Sequence, residues 1–576
     1  MIHELTITVA PGEELDAALI KQKAADVLSC AVDDVKHLTV NKKSMDARHG
    51  RIKIHLRLTI YLNEEPPDAK GGPVPRTFMP LKAGHGPVLI VGCGPTGLFA
   101  ALRLLESGIK PIIVERGKRT PERKRDIAAI GRGGMVPLNS NYCFGEGGAG
   151  TFSDGKLYSR SNKRGNIRRV LETLCQFGAD ESILVDAHPH IGSDRLPAII
   201  GAMTDKICEL GGEVRFETLC TGFIVEKGKF RGIRTSAGDL HSETLILAAG
   251  HSAPDIYRLL ADAAPGALEA KPFAAGIRVE HPREIIDGIQ YHGTGRFPGA
   301  EKKQQLPAAE YRLTTQVEGR GVYSFCMCPG GVVVPSASAP DEIVINGMSA
   351  AGRNSRWSNA AIVVEVRPED TAGKGGLSGL VFREEIEKRA YCEASLDTVA
   401  NTAVNATASA SGGHRTFGSQ APAQRLIDFL EGRLSAGLPP SSYTPGLVSS
   451  RLDEWLPPFI ARRLQSAFPE FEKKMHGFIC PDALLIAPET RTSTPVRIIR
   501  NSETYESAVI SGLFPAGEGS GYAGGIVSSA MDGENAAEAL IAQGRHCVGP
   551  VIPKMPGESG PPQAGGIRGS EGRSRR

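Results

Sequence analysis

No Cys-x-x-Cys pair occurs in this chain, and its eleven cysteines are an odd number spread over 576 residues. At least one is left over in any pairing scheme, so a disulfide-stapled domain is disfavoured and a reducing, cytoplasmic setting is expected. Charge of one sign is missing too: 67 basic against 64 acidic residues leave a net charge of +3. No global field then draws the chain to nucleic acid or to a membrane surface, and neither partner is expected. The segment Met1 to Asp16 carries Glu4, Glu13 and Glu14 without an uninterrupted apolar core, so it does not read as a signal peptide. The apolar stretch 88–105 is broken by three glycines and Pro95, and no bilayer-spanning segment is expected. A metal-ligand pattern is likewise absent, since His188 and His190 flank Pro189 with nothing to complete a ligand set. No internal repeat of solenoid period is found.

What is present is a soluble, globular composition, 41% hydrophobic and 23% charged, long enough for several cores. Residues 1–64 read as a small α/β module. Leu5, Ile7 and Val9 alternate as a strand, 13–29 suit a helix, and Ile52 to Leu62 alternate cleanly with polar partners. A Pro/Gly-rich linker, 65–86, follows. Residues 87–265 are expected to form the first part of a dinucleotide-binding domain, 266–485 an inserted α+β substrate domain, and 486–545 the domain's second part. Residues 546–576 are rich in Gly, Pro, Ser and Arg and are expected to be a disordered tail.

The dinucleotide expectation rests on Val88-Leu89-Ile90-Val91-Gly92-Cys93-Gly94-Pro95-Thr96-Gly97, followed by Ile112-Ile113-Val114-Glu115-Arg116. Strand, glycine turn, helix, second strand and acid stand in the required order. Gly92 permits the turn, Gly94 admits a pyrophosphate to the backbone, and Gly97 lets the helix pack closely, with Pro95 and Thr96 at the helix start. That start offers free N–H groups and the positive end of the helix dipole. Glu115 suits ribose hydroxyls and Arg116 a nucleotide phosphate. Gly147, Gly148, Ala149, Gly150 and Thr151 lie in a second glycine-rich stretch, 144–157, whose amides suit a planar ligand or its phosphates. The buried strand 244–248 ends in Ala249 and Gly250. A late turn at Gly517 and Glu518 leads through Gly524, Gly525 and Ile526 into a helix whose N-terminus favours negative charge.

These motifs, with Pro189 to Asp194, Tyr323 to Gly331 and Glu489 to Arg497, resemble the bacterial FAD-dependent dehydrogenases described as NAD(FAD)-utilizing. The resemblance covers nearly the whole chain except the tail. It implies a glutathione-reductase-like Rossmann class with FAD as cofactor and stops short of the reaction. The function expected from the whole chain is an FAD-dependent oxidoreductase passing a hydride between a small-molecule substrate and the flavin N5. In the broader class the late turn carries Gly-Asp, where this chain has Gly517-Glu518. No second full strand-GxGxxG-helix-acid unit occurs, so NADH or NADPH would act as reductant without a dedicated domain. A flavin-binding redox sensor or scaffold is the alternative, and an RNA-modifying flavoenzyme a further one.

Catalytic candidates are fewer. His190 with Asp194 suits proton transfer or anion binding over the flavin. Arg491 suits a bidentate carboxylate clamp, or an ion pair with an acid such as Glu489. Cys326 and Cys328 share one face of a strand, where a disulfide would be strained, and small core hydrophobes are the more ordinary reading.

Overall fold

The computed structural model describes residues 1–47, 52–66, 72–82, 84–158, 165–293, 306–373, 375–402 and 419–544. The expected tail lies outside them, as does part of the linker. The architecture is mixed α/β with a Rossmann-like domain at its centre. Its centre is a parallel five-stranded sheet in the order Leu513–Pro515, Leu245–Leu247, Val88–Val91, Pro111–Val114, Glu213–Arg215. The apolar run Val88–Val91 is buried at every position because both sheet faces are covered. Val88 and Ile90 pack with the helices Pro95–Glu106 and Ile526–Ala542. Leu89 and Val91 face the other way, onto the antiparallel strands Cys220–Glu226 and Lys229–Thr235 and the helix Pro254–Ala263.

The chain leaves this unit through Leu268–Ala270 and returns through Val496–Ile498, two short strands that pair antiparallel at the seam. Between them stands a seven-stranded sheet in the order Thr314–Val317, Arg320–Cys328, Trp357–Val366, Phe273–Pro282, Leu484–Glu489, Ala421–Arg425, Leu447–Ser449. Ala360, Ile362 and Val364 of the Trp357–Val366 strand join Phe468 and Phe471 of the helix Pro458–Lys474 in its principal core.

The N-terminal module is a three-stranded sheet, ordered Ile2–Val9, Lys53–Leu62, Val35–Asp46, with the helix Ala17–Leu28. Ile54, Leu56, Leu58 and Ile60 fill its core from alternate positions. The Val35–Asp46 strand was not foreseen. Two register shifts against Lys53–Leu62 break its period of two, which removes the alternation a sequence reading depends on. That strand ties the module to the rest: Lys43 donates its backbone N–H to Val185 at 2.8 Å, and Lys43 Nζ pairs with Asp186 at 3.1 Å. Among the described residues, no helix is long and apolar enough to cross a membrane.

Candidate active site

The first strand, Val88–Val91, ends in the glycine turn, and the helix Pro95–Glu106 begins with Gly94 at its N-cap and Pro95 at N1, a position where no N–H is lost. A cleft opens there, lined by Gly92, Gly94, Pro95, Thr96, Glu115 and Arg116. Gly148, Ala149 and Gly150 border it from a second loop, Ala249 and Gly250 from the Leu245–Leu247 strand, and Glu518 from the late turn. Seven expected cofactor residues, Gly97, Gly147, Thr151, Gly517, Gly524, Gly525 and Ile526, are not in this lining. They shape it: Thr151 donates to the Glu146 carbonyl at 2.8 Å, and Gly517 N–H donates to Asp532 at 2.7 Å.

Buried charges hold the cleft open. Glu115 accepts the N–H groups of Cys93, Gly117 and Gly145 at 3.0, 2.9 and 2.9 Å, fastening both glycine loops to the second strand. Arg123, fully buried, donates to the carbonyls of Asn141, Tyr142 and Glu146 and so fixes the second loop. Arg116 stands at the cleft wall, 3.0 Å from Asp255, with its guanidinium 4.1 Å over the Phe144 ring.

Gly94 tests whether the cleft suits a dinucleotide. A Cβ built there would meet no protein atom nearer than the Gly148 Cα at 3.9 Å, and its φ of −82° is open to any residue. Neither packing nor backbone strain requires glycine at this position. A pyrophosphate lying against the turn does, and the helix N-terminus favours its charge. The residues therefore fit FAD.

A second space, about 1310 Å³, flanks the same late turn and helix start, bordered there by Gly524 and Ser528. Its opposite wall carries Lys156, Glu310, Tyr323, Cys326 and Arg353. Lys156 is placed by short backbone pairing of 154–157 with 189–192, in which Leu157 N–H donates to the Pro189 carbonyl at 2.9 Å. Asp154, buried, binds Lys156 at 2.8 Å and Arg353 at 3.1 Å. Burial alone would push the Asp154 carboxyl up, but these two cations hold it below its usual range. Glu310 is held down to about 2: burial opposes this, and His188 and Arg353 outweigh it. Sequence reasoning missed Lys156, Glu310 and Arg353, because their partners come from segments far apart in the chain.

The expected catalytic residues are placed otherwise. The His190 ring bonds the Ala351 carbonyl at 3.1 Å, and Asp194 accepts the Ala351 N–H at 2.7 Å. Both brace the turn that presents Arg353, itself at φ +47°; neither lines the second cavity. Burial and the Arg353 charge lower the His190 pKa, so it stands neutral near pH 7. Arg491 is placed in the ion-pair arrangement of its two expected readings, with other partners. Its guanidinium is buried and bound to Glu387 at 2.6 Å and Glu342 at 2.9 Å, with Ser338 at 2.7 Å, and the expected partner Glu489 instead binds Arg278 at 2.9 Å.

Glu518 is the titratable group of the cleft whose shift matters most near neutrality. Burial raises its carboxyl from 4.5 to about 7, against the Gly525 N–H and Lys271, which lower it. His251 lies 3.8 Å away but is no counter-ion, since burial beside Arg383 and Arg491 holds it at about 3, neutral. Between about pH 4.5 and about 7 the unfolded chain has lost a proton that folded Glu518 keeps. Apoprotein stability is then highest below about pH 4.5 as far as this group goes, and falls by up to about 3 kcal/mol as pH rises to about 7. Glu518→Gln should remove that slope, read as the difference in apoprotein Tm between pH 5 and pH 7.5. An identical pH profile in the variant would show that Glu518 does not titrate there.

Comparison with known proteins agrees with this geometry. Residues 85–128 match the FAD binding domain family, 272–492 match the family described as FAD-dependent protein, C-terminal domain-like, and 1–61 match a domain of unknown function. An uncharacterized protein of Clostridium beijerinckii is 37% identical over 543 residues, covering 91% of this chain and 96% of its own. The chain belongs to the family of that protein, and the family models it matches make it an FAD-dependent protein, with FAD as its cofactor. Among solved structures, L-amino acid deaminase from Proteus vulgaris is 12% identical, with 82% of this chain and 96% of that chain covered and a TM-score of 0.32. Glycine oxidase from Bacillus cereus is 12% identical over 81% of this chain and 99% of that chain, with a TM-score of 0.26. Likeness at this level bears on neither substrate nor reaction.

Proposed function

We propose that the protein is a dehydrogenase acting on a small anionic molecule, of the NAD(FAD)-utilizing kind that its motifs resemble. One observation carries the reading: among the described residues, the cavity beside the late turn is lined by Lys156, Lys271, Arg312, Arg353 and Arg497, more cations than its acids Glu310 and Asp532 and the neighbouring Asp154 and Glu269 that pair with them. Such a wall attracts negative charge and orients it. FAD, when bound, supplies the acceptor for a hydride at its N5. The chain's own part is positional and electrostatic. The N-terminus of the helix Ile526–Ala542, with Gly524 open to solvent, favours negative charge beside it. Arg353, braced by His190 and Asp194 through Ala351, presents a cation to the substrate space.

The test is the visible spectrum of the purified protein, followed by anaerobic titration with NADH, NADPH and a panel of carboxylates and phosphates. Bleaching by one anionic donor, with turnover, is expected. Bleaching by neutral or cationic donors alone would overturn the substrate class. A bound flavin that no donor bleaches would favour a redox sensor over an enzyme.

A further inference from the structure

The strand Arg320–Cys328 does not run evenly beside Trp357–Val366: its register slips between Phe325 and Cys328, and Cys326 lies at φ +43°. A left-handed conformation at a non-glycine residue costs of order 1–3 kcal/mol and persists only where the surroundings fix it. Here the surroundings are explicit. Arg278, fully buried, reaches the Cys326 carbonyl from Nη1 at 3.4 Å while its Nε binds Glu489 at 2.9 Å.

The slip turns both sulfurs toward one cation. Lys156 Nζ is 3.9 Å from Cys326 Sγ and 3.5 Å from Cys328 Sγ, and Cys328 Sγ also meets the Cys326 carbonyl at 3.3 Å. Lys156, itself paired with Asp154 at 2.8 Å, gives both sulfurs a charged neighbour that thiols acting only as apolar filler do not need. Cys326 lines the cavity that Gly524 and Ser528 border at the helix start, and Cys328 is buried behind it.

Charge divides the pair. The neighbouring Cys328 side chain, with Lys156 and Arg278, holds the Cys326 thiol well below its ordinary value, against burial, while Cys326 and burial push Cys328 up. The thiol held low, Cys326, is the one that lines the cavity. Residues two apart on an extended strand are separated by about 6.6 Å at Cα. That lies just inside the outer edge of the roughly 4.4–6.8 Å a disulfide spans.

We propose that Cys326 and Cys328 are a dithiol–disulfide couple that exchanges an electron pair with the FAD of this chain. The Cys326 thiolate and the Cys328 thiol give up two electrons and one proton as the S–S bond forms. Oxidised FAD takes both electrons and the proton to become its anionic reduced form, and the reverse restores the thiols. Lys156 holds the thiolate in the reduced state and is left with Asp154 in the oxidised one. The couple rests on FAD binding and not on the dehydrogenase reading.

Air-oxidised holoprotein should be titrated anaerobically with dithionite. The native protein should take up about four electrons per FAD, and Cys326→Ser and Cys328→Ser about two each. Peptide mapping without reductant should find the native Cys326–Cys328 peptide lighter by two hydrogens, and formation of that bond should be much slower in FAD-stripped protein. About two electrons per FAD in the native protein with both thiols free would overturn the couple. Equal disulfide formation without FAD would overturn the exchange. Lys156→Met should raise the pH midpoint of Cys326 alkylation by iodoacetamide by at least about one unit, and an unmoved midpoint would overturn the role of Lys156. Failure of every anionic donor to bleach the flavin would leave the electron count untouched.

Discussion

Gly94→Leu is expected to weaken FAD binding by at least about a hundredfold, about 2.7 kcal/mol, while the apoprotein unfolds at the native temperature. The two halves of that expectation come from one environment. No protein atom lies within 3.9 Å of a Cβ at Gly94, and its backbone is extended, so the folded chain accepts a side chain there. That side chain then occupies the space between the two glycine loops where the pyrophosphate must lie. Gly97 is the contrast: its Cβ would stand 2.0 Å from the Gly92 carbonyl oxygen, so Gly97→Ala should destabilise the strand–helix unit itself, with or without FAD. Flavin absorbance after gel filtration and apoprotein Tm separate the two variants. Full FAD occupancy in Gly94→Leu would remove the pyrophosphate from this turn.

The contrast also shows what kind of information the sequence carries. Strand, turn, helix and acid are contiguous between Val88 and Glu115, and each residue's role is set within a few positions, so the nucleotide unit was legible. The strands Phe273–Pro282 and Trp357–Val366 are apolar runs of the kind a buried sheet requires, inside the stretch expected to be an inserted α+β domain. The strand Val35–Asp46 was not legible, because its bulges erase the periodic signal. Glu115 was placed correctly at the strand end, yet its observed bonds are to three backbone amides, a role that depends on a loop 30 residues further on.

The substrate side was legible least, for a physical reason. Lys156, Glu310, Cys326 and Arg353 converge on one wall from four segments, and nothing local marks a residue whose partner lies over 150 positions away. His190 and Asp194 show the converse. They stand in a recognisable motif, but their bonds go to the Ala351 backbone, so they act through the position of Arg353. A motif reports that a segment is constrained without reporting whether the constraint is chemical or architectural.

Arg491 makes that distinction measurable. Its guanidinium lies between Glu387 and Glu342, and Arg383 stands beside Glu387 on the same helix, Ser378–Thr402. Glu387 is fully buried; burial would push its carboxyl up, and Arg491 and Arg383 instead hold it low, so it stays charged. Arg491→Leu would leave one arginine against two buried carboxylates. Removing one partner of a buried pair costs about 3–5 kcal/mol, because the remaining charge has lost water and gained nothing in exchange. The expected result is a large loss of stability that pH modifies: as pH falls and the stranded Glu387 carboxylate takes up a proton, the deficit relative to the native protein should shrink. A substrate clamp behaves in the opposite manner, raising KM at unchanged stability, with no reason for the stability deficit to depend on pH. Denaturant unfolding of both proteins at pH 5 and pH 8 decides between them. Native-like stability of Arg491→Leu at pH 8, together with weakened binding of an anionic donor, would return Arg491 to the substrate site.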